Sequence, residues 1–386
     1  MAEVISTCSA NDTSGNTSGG GFWYTNLTSW ESARQGNTNH EIVECYNDFG
    51  GPLDSTTLTV SGWGTTDATN HPTIRPAVGQ GHNGIRGDGF NYRTAGASVL
   101  ANSQAFLLVQ GITFTFTAPS PSYCIRLNAG SENTIIERMF LITEGTATNS
   151  GVGIDCRLSD IVARNNIIIA NENGGTGSYG IFNNLAGINT NLDNNVVLGY
   201  SSAGIWSTAD TGSITNNICF DTVNPDFDLR GALTATTCAS EDGTESTLVI
   251  TTADFVNYPT DLRPLPGGLL DGAGTDLSGS FTNDITGYQR IPPWDIGAYA
   301  IQGAAPSVTF DGPNVIAQTG TENVLFSFNE NTEGTVASRF TGATSYALAP
   351  TSDALPNGLT VNGTTGNIEG TPTVTFTGNI IIEGSD

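Results

Sequence analysis

Short aliphatic runs, each preceded by a polar turn, recur through the middle of the chain as VQGITFTF, IERMFLI, ARNNIIIA, LDNNVVLG and ITNNICFD. Aligned on one another, they place Ile112, Met139, Ile167, Val196 and Ile218 in one column. A second column runs through Ile125, Ile154, Ile181, Ile205 and Phe227, and both advance by between 22 and 29 residues per step. A period of that size is the mark of a solenoid, in which one coil cannot bury its own apolar face and neighbours stack to make a continuous core. Each coil then supplies short strands, and equivalent residues lie about 4.8 Å apart. The pairs Asn165-Asn166, Asn194-Asn195 and Asn216-Asn217 fall just before the same strand in successive coils. A sharp turn and a ladder of asparagines are expected there, because Asn tolerates left-handed backbone. The pattern predicts an all-β fold, a right-handed parallel β-helix.

Ahead of the repeat, GGGFWYTNLTSWESARQG reads as a strand and short helix shielding the first coil, with Trp23, Leu27 and Trp30 as the covering face. EIVECYNDF, TTLTVSGW and PTIRPAV read as the first alternating strands. Beyond a linker near Gly303 to Pro306 the pattern changes to alternating strands without Asn pairs. The expected organisation is a flexible arm over 1–20, a β-helix over 21–303 and a small β-sandwich over 304–386.

Composition agrees with many strands and tight turns: 48 Gly, 37% hydrophobic residues and only 13% charged ones. The net charge is −25, and all 12 basic residues are Arg. Such a surface repels a phosphate backbone, so nucleic acid is not an expected partner. Cys8, Cys45, Cys124, Cys156, Cys219 and Cys238 show no zinc or redox spacing; free buried thiols are expected, with Cys124 and Cys156 one coil apart as the one candidate pair. The first residues lack the basic and apolar regions of a signal peptide, and no stretch reaches the ~18 apolar residues of a membrane span. No metal site or cofactor is implied.

Three resemblances add to this reading. The segment ending Asp295, Ile296, Gly297, Ala298 and Tyr299 resembles the closing segment of pectin-lyase-like β-helix proteins, a group that includes both enzymes and adhesins. Leu355, Pro356, Gly358, Leu359, Gly366, Ile368, Gly370, Thr371 and Pro372 are similar to the motif of an immunoglobulin-like family. That implies a sandwich with Leu359, Val361 and Ile368 in its core and no chemistry of its own. YTNLTSWESARQ, HEIVECYND and LTVSGWGTTDATN look like β-helix proteins encoded by tailed phages.

Candidate chemistry is sparse. A lyase needs a carboxylate cluster for calcium and a basic residue to remove a proton. There is no Lys, and although Arg138, Arg157 and Arg164 lie on the coils, the acids share no column: Glu137 aligns with Asn165 and Asn194, and Asp193 with Arg164, its expected ion-pair partner. A glycoside hydrolase needs two carboxyl groups about 5–9.5 Å apart. Candidates on the coils include Glu132, Glu137, Asp155, Asp160 and Glu172, with Glu137 and Asp155 as the catalytic pair if the chain is an enzyme. His40, His71 and His82 are expected in turns or at the surface. Tyr179, Tyr200 and Trp206 are candidates for stacking on sugar rings. The expectation is a non-enzymatic structural protein on a phage virion surface, a fibre or decoration protein contacting other capsid or tail proteins and host surface glycan, assembled as a homotrimer. The alternative is a tailspike-type depolymerase of the same glycan.

Overall fold

The computed structural model describes residues 3–11, 22–117, 122–144, 151–156, 159–170, 177–223 and 225–301 of the first part of the chain. In the second part it describes 326–327, 345–350, 352–355, 357–364, 366, 368–370, 380 and 382–385. The chain forms two compact units, Met1–Ile301 and Gln302–Asp386.

In the first unit three parallel sheets, here A, B and C, hold ten, nine and seven strands among the described residues. A typical coil passes from sheet A (Thr134–Glu137) to sheet B (Phe140–Thr143) to sheet C (Gly151–Asp155) and returns to A one level on (Ile161–Arg164). Each sheet sends a central column into the lumen. On C this is Leu58, Leu100, Ile125, Ile154, Ile181, Ile205 and Phe227, all in register and buried, as the second sequence column predicts. On A it is Val43, Ile74, Val109, Ile136, Ala163, Leu192 and Ile214. On B it includes Tyr92, Phe114, Leu141, Ile168, Val197 and Cys219.

The first sequence column needs correction. Ile167, Val196 and Ile218 are in register with Phe140 and Thr113, one residue beyond Met139 and Ile112. They face away from the lumen and are buried from outside by the chain that follows the last coil. Met139 belongs instead to the level of Asn166, Asn195 and Asn217, the second member of each Asn pair, which points inward. Asn166 Nδ2 donates to Asn195 Oδ1 and Asn195 Nδ2 to Asn217 Oδ1, both at 2.9 Å. Their other amide hydrogens reach Ile136 O and Ala163 O, at 2.9 and 2.8 Å. The backbone N–H groups of Met139, Asn166 and Asn195 donate to the same column of Oδ1 atoms. This is the predicted ladder, ended by the methionine on one side and by Cys238 Sγ, which accepts from Asn217 N, on the other.

The first member of each pair sits outside in left-handed backbone. That column runs Gly111, Arg138, Asn165, Asn194, Asn216 and Thr237, with φ from 47° to 70°. A two-residue corner between sheets A and B requires it, and Asn adopts it at lower cost than other side chains. The outward amides hold the closing chain: Asn165 Nδ2 donates to Asn283 O, Asn194 Nδ2 to Asp295 O and Gly297 O, and Asn216 Nδ2 to Thr275 O. Phe255, Leu262, Leu270, Ile285, Ile296, Ala298 and Tyr299 of that chain pack on the outer face of sheet B. Gly297, at φ 97°, is required because a Cβ there would lie 2.6 Å from Ile218 Cδ1. The buried Arg290 ties the segment down by donating to Asn165 Oδ1 and Gly297 O, each at 2.8 Å.

At the other end, helix Leu27–Arg34, capped by the Asn26 side chain on Ser29 N, buries Leu27 and Trp30. Trp23 is 40% exposed, because its strand pairs at the sheet edge and not over the lumen. The expected arm is also corrected: Glu3–Cys8 form a strand of sheet A, parallel to both Trp23–Tyr24 and His40–Cys45. All six cysteines are buried free thiols. Cys124 lies opposite Gly153 in the register of sheet C, two residues short of the level of Asp155, so it does not face Cys156.

In the second unit the described strands pair antiparallel: Phe326–Ser327 with Ile368–Gly370, which pairs in turn with Leu359–Val361, and Ser345–Leu348 with Ile382–Ser385. Leu359, Val361 and Ile368 are half-buried and Tyr346 is buried. Pro356, Thr371 and Pro372 of the sequence motif lie outside the described residues.

Candidate functional site

Whereas sheet B is covered, sheet C presents an outer face of a different kind. One outward column runs Thr59, Ala101, Arg126, Asp155, Phe182, Trp206 and Asp228, and a second holds Ser98, Tyr123, Val152, Tyr179 and Ala203. In YGIFN and AGIWS the Gly and the Ile both face the lumen, so the residue on either side of that pair is turned out. Phe182 and Trp206 therefore stack directly, with centroids 4.7 Å apart and planes within 17°. Tyr179 tilts onto Phe182 at 4.6 Å and meets Trp206 edge-on at 6.4 Å. All three rings are half-buried, each leaving part of its surface in solvent.

Ion pairs bound this aromatic platform along the stack. On one side Arg126 Nε stands 3.9 Å from the buried carboxylate of Asp155, and its guanidinium lies 5.1 Å from the centre of the Tyr123 ring. On the other, Arg230 pairs with Asp228 at 2.7 Å and lies 5.5 Å over Trp206. From Arg126 to Asp228 the column crosses four strand spacings, about 19 Å. The chemical offer is an apolar ring platform with balanced polar groups at both ends.

The sequence candidates distribute unevenly over this geometry. Tyr179 and Trp206 are on the platform. Tyr200 is not: it is fully buried, lodged where Gly153 and Gly180 leave room, with its hydroxyl 3.0 Å from the place of a Gly153 Cβ. Burial pushes its phenol pKa well above the usual range. Phe182, Tyr123, Arg126, Asp228 and Arg230 complete the face and escape a sequence reading that treats aromatics singly. Aligning YGIFN with AGIWS would have found Phe182, one position past the column of isoleucines.

Glu137 and Asp155 do not meet, since Glu137 is on the outer face of sheet A and Asp155 on that of sheet C. Glu137 is also one place from its expected level. It is in register with Arg164, and the column continues to Asp193 and, in the other direction, through Gln110 and Arg75 to Glu44. Acids and arginines thus share a column after all, arranged as pairs. Arg164 bonds Glu137 at 2.7 Å, not the expected Asp193, because it is also drawn to Ser280 O and the Phe281 ring of the closing segment. Asp193 accepts from Ser213 Oγ at 3.0 Å, and burial raises its pKa to about 6. Glu132 is exposed in a turn, and Asp160 accepts the backbone N–H of Asn189. Arg157 and Glu172 lie outside the described residues.

Among the histidines, His40 and His71 are half-buried and pack 4.6 Å apart near the entry. His82 is buried, contrary to expectation: Nδ1 accepts from Gly84 N and Nε2 donates to Arg138 O. Burial lowers its pKa to about 4, so the ring is a neutral strut. Among the described residues no group of three or more His, Cys, Asp or Glu is placed to hold a metal ion, and no helix is long and apolar enough to cross a membrane.

The first unit is a right-handed parallel β-helix, and a segment that matches an immunoglobulin-like family follows it in the chain. Residues 306–383 match the family described as "Putative Ig domain". The fold is similar to the crystal structure of pectate lyase Pel9A, at 12% identity and a TM-score of 0.34, over 78% of this chain and 96% of that one. No curated protein matches the sequence.

Proposed function

We propose that this chain is a non-enzymatic structural protein that holds a surface glycan along the outer face of sheet C and is displayed on a phage virion as a homotrimer. The observation that carries the binding role is the Phe182–Trp206 stack with Tyr179, three half-buried rings on a face where ion pairs flank them. The C–H face of a sugar ring fits such a platform, and its hydroxyls find Arg126, Asp228 and Arg230. Binding is favoured over cleavage by spacing. Asp155 and Asp228, the carboxylates of this column, have two aromatic levels between them, about 14 Å, beyond the ~9.5 Å reach of a hydrolase pair. Display on a particle rests on the phage-like opening segments and the immunoglobulin-like module.

Screening the full chain against an array of bacterial surface polysaccharides tests the binding role. The expected result is retention of at least one glycan with no release of reducing ends or unsaturated sugar, and at least tenfold weaker retention by Trp206→Ala. Product release by the wild type would instead establish the depolymerase. Mass spectrometry of purified particles tests display.

A further inference from the structure

Of the six buried thiols, Cys8 and Cys45 stand apart. They are register partners on neighbouring parallel strands of sheet A, Glu3–Cys8 and His40–Cys45, and both are buried in the lumen core. Their side chains are hydrogen-bonded to each other. The other four keep different company. Cys124 lies opposite Gly153, Cys156 Sγ turns to Phe182 O, Cys219 is in register with Val197 and Ser240, and Cys238 Sγ faces the Asn217 amide. Register partners in a parallel sheet have Cα atoms about 4.8 Å apart, inside the roughly 4.4–6.8 Å that a disulfide spans.

The strand that carries Cys8 is poorly held from the inside. Ser6 stands at the level where the strands that follow place Val43, Ile74, Val109 and Ile136. Its buried hydroxyl has no hydrogen-bond partner among the described residues, so this level costs stability where the others add it. Beyond Cys8 the hold is polar: the Asp48 carboxylate accepts from Ala10 N at 2.8 Å and Asn11 N at 3.3 Å, and Trp23 Nε1 donates to Ser9 O at 3.1 Å. Burial, with the Cys8 thiol alongside, pushes the Cys45 pKa well up, so with the strand in place this thiol stays protonated and inert.

We infer that Cys8 and Cys45 are a reversible modification site, oxidised by a low-molecular-weight disulfide such as glutathione disulfide to a bond that locks strand Glu3–Cys8 onto His40–Cys45. The strand opens first, and the Cys8 thiol, now in water, loses its proton. Its thiolate attacks one sulfur of the oxidant, whose S–S bond breaks and releases one thiolate. The Cys45 thiolate then attacks the Cys8 sulfur of the mixed disulfide and expels the second. Two protein thiols become one disulfide, the small disulfide becomes two thiols, and the two protons pass to the departing thiolates. The new bond closes a loop over residues 8–45, which takes freedom from the opened strand and from the unfolded chain. The inference rests on sheet A and is independent of the face of sheet C.

Peptide mapping of the full chain tests this, after incubation with glutathione disulfide at mildly alkaline pH and alkylation of the remaining thiols in denaturant. Each cysteine falls on its own tryptic peptide. The expected product joins the peptide ending at Arg34 to the peptide Gln35–Arg86 and leaves Cys124, Cys156, Cys219 and Cys238 alkylated. Hydrogen exchange of the Glu3–Cys8 amides should slow by about tenfold or more on oxidation and recover with dithiothreitol. Cys8→Ala should show neither bridge nor slowing, and Cys45→Ala should stop at a glutathione adduct on Cys8. The inference is overturned if Cys8 and Cys45 of the wild type stay open to alkylation, if a different pair is joined, if Cys45→Ala takes up no glutathione at Cys8, or if the bridge forms without slowing exchange.

Discussion

The outer faces of sheets B and C are built on the same coils, yet one is aliphatic and sealed and the other aromatic and charged, with its rings half-exposed. On B, Phe140, Ile167, Ile169, Val196, Leu198, Ile218 and Phe220 lie under the closing segment. Each such side chain contributes roughly 1.5–3 kcal/mol by leaving water. On C, the equivalent outward positions hold Tyr179, Phe182 and Trp206 between ion pairs. The lesson is that in a solenoid the lumen does not distinguish structure from function, because every sheet fills it alike. The outward columns do, and what covers each one decides its role.

The sharpest way to break the comparison is through the corner that serves both surfaces of sheet B. Asn195→Ala removes the acceptor of Asn166 N and Nδ2 and the donor to Ala163 O, all in the dry interior. At ~1–3 kcal/mol for each buried group left unpaired, the β-helix should lose about 4 kcal/mol, read as a fall in its thermal midpoint. A loss below about 1 kcal/mol would show that the ladder is incidental. Next is the cover itself. Gly297→Ala adds about 1–2 kcal/mol of left-handed strain and a contact with Ile218 that costs ~1–3 kcal/mol. Denaturant titration should show about 3 kcal/mol lost, with faster proteolysis of residues 255–301 than elsewhere in the unit.

How much of this was legible in the sequence follows from the same contrast. The column from Ile125 to Phe227 reads correctly because on sheet C an apolar lumen residue alternates with a non-aliphatic outward one. On sheet B both faces are buried, so Ile167-Ile168-Ile169 has no alternation to show which residue points inward. The register then slipped by one, onto Ile112 and Met139, where aliphatic residues stand at the level of the inner asparagines. Tyr200 misled because a phenol suggests a wet surface; the signal of its burial is the glycine repeated in GVGID, YGIFN and AGIWS, which clears space inside. The pairing of Cys8 with Cys45 was out of reach, since the residues around Cys8 read as a flexible arm and only the register of sheet A brings the two thiols together.

Sheet A, whose outer face carries the Glu137, Arg164 and Asp193 column, lies between these extremes and gives a pH test. Asp193 titrates near pH 6 when folded against an ordinary value of 3.8. The folded state therefore holds its proton more tightly, and stability present below pH 3.8 is lost as pH rises through about 6. Asp193→Asn should match wild type near pH 3.5 and exceed it by about 3 kcal/mol at pH 8. A constant offset between the two proteins across that range would show that burial does not govern this carboxyl.

The smallest effect is the most informative about sheet C. If its platform exists to hold a ligand, its rings are surplus to folding, and Trp206→Ala should cost about 1 kcal/mol, the scale of one aromatic pair. Phe182 then loses a stacking partner, but no cavity forms, because Trp206 is half-exposed and borders solvent. The same change should remove most glycan retention, so binding is lost at this residue with little stability, whereas Gly297→Ala costs stability. A double-mutant cycle of Trp206→Ala with Phe182→Ala measures the coupling directly. A stability coupling above about 2 kcal/mol would mark the stack as a packing device like the aliphatic face of sheet B, and the distinction between the two faces would dissolve.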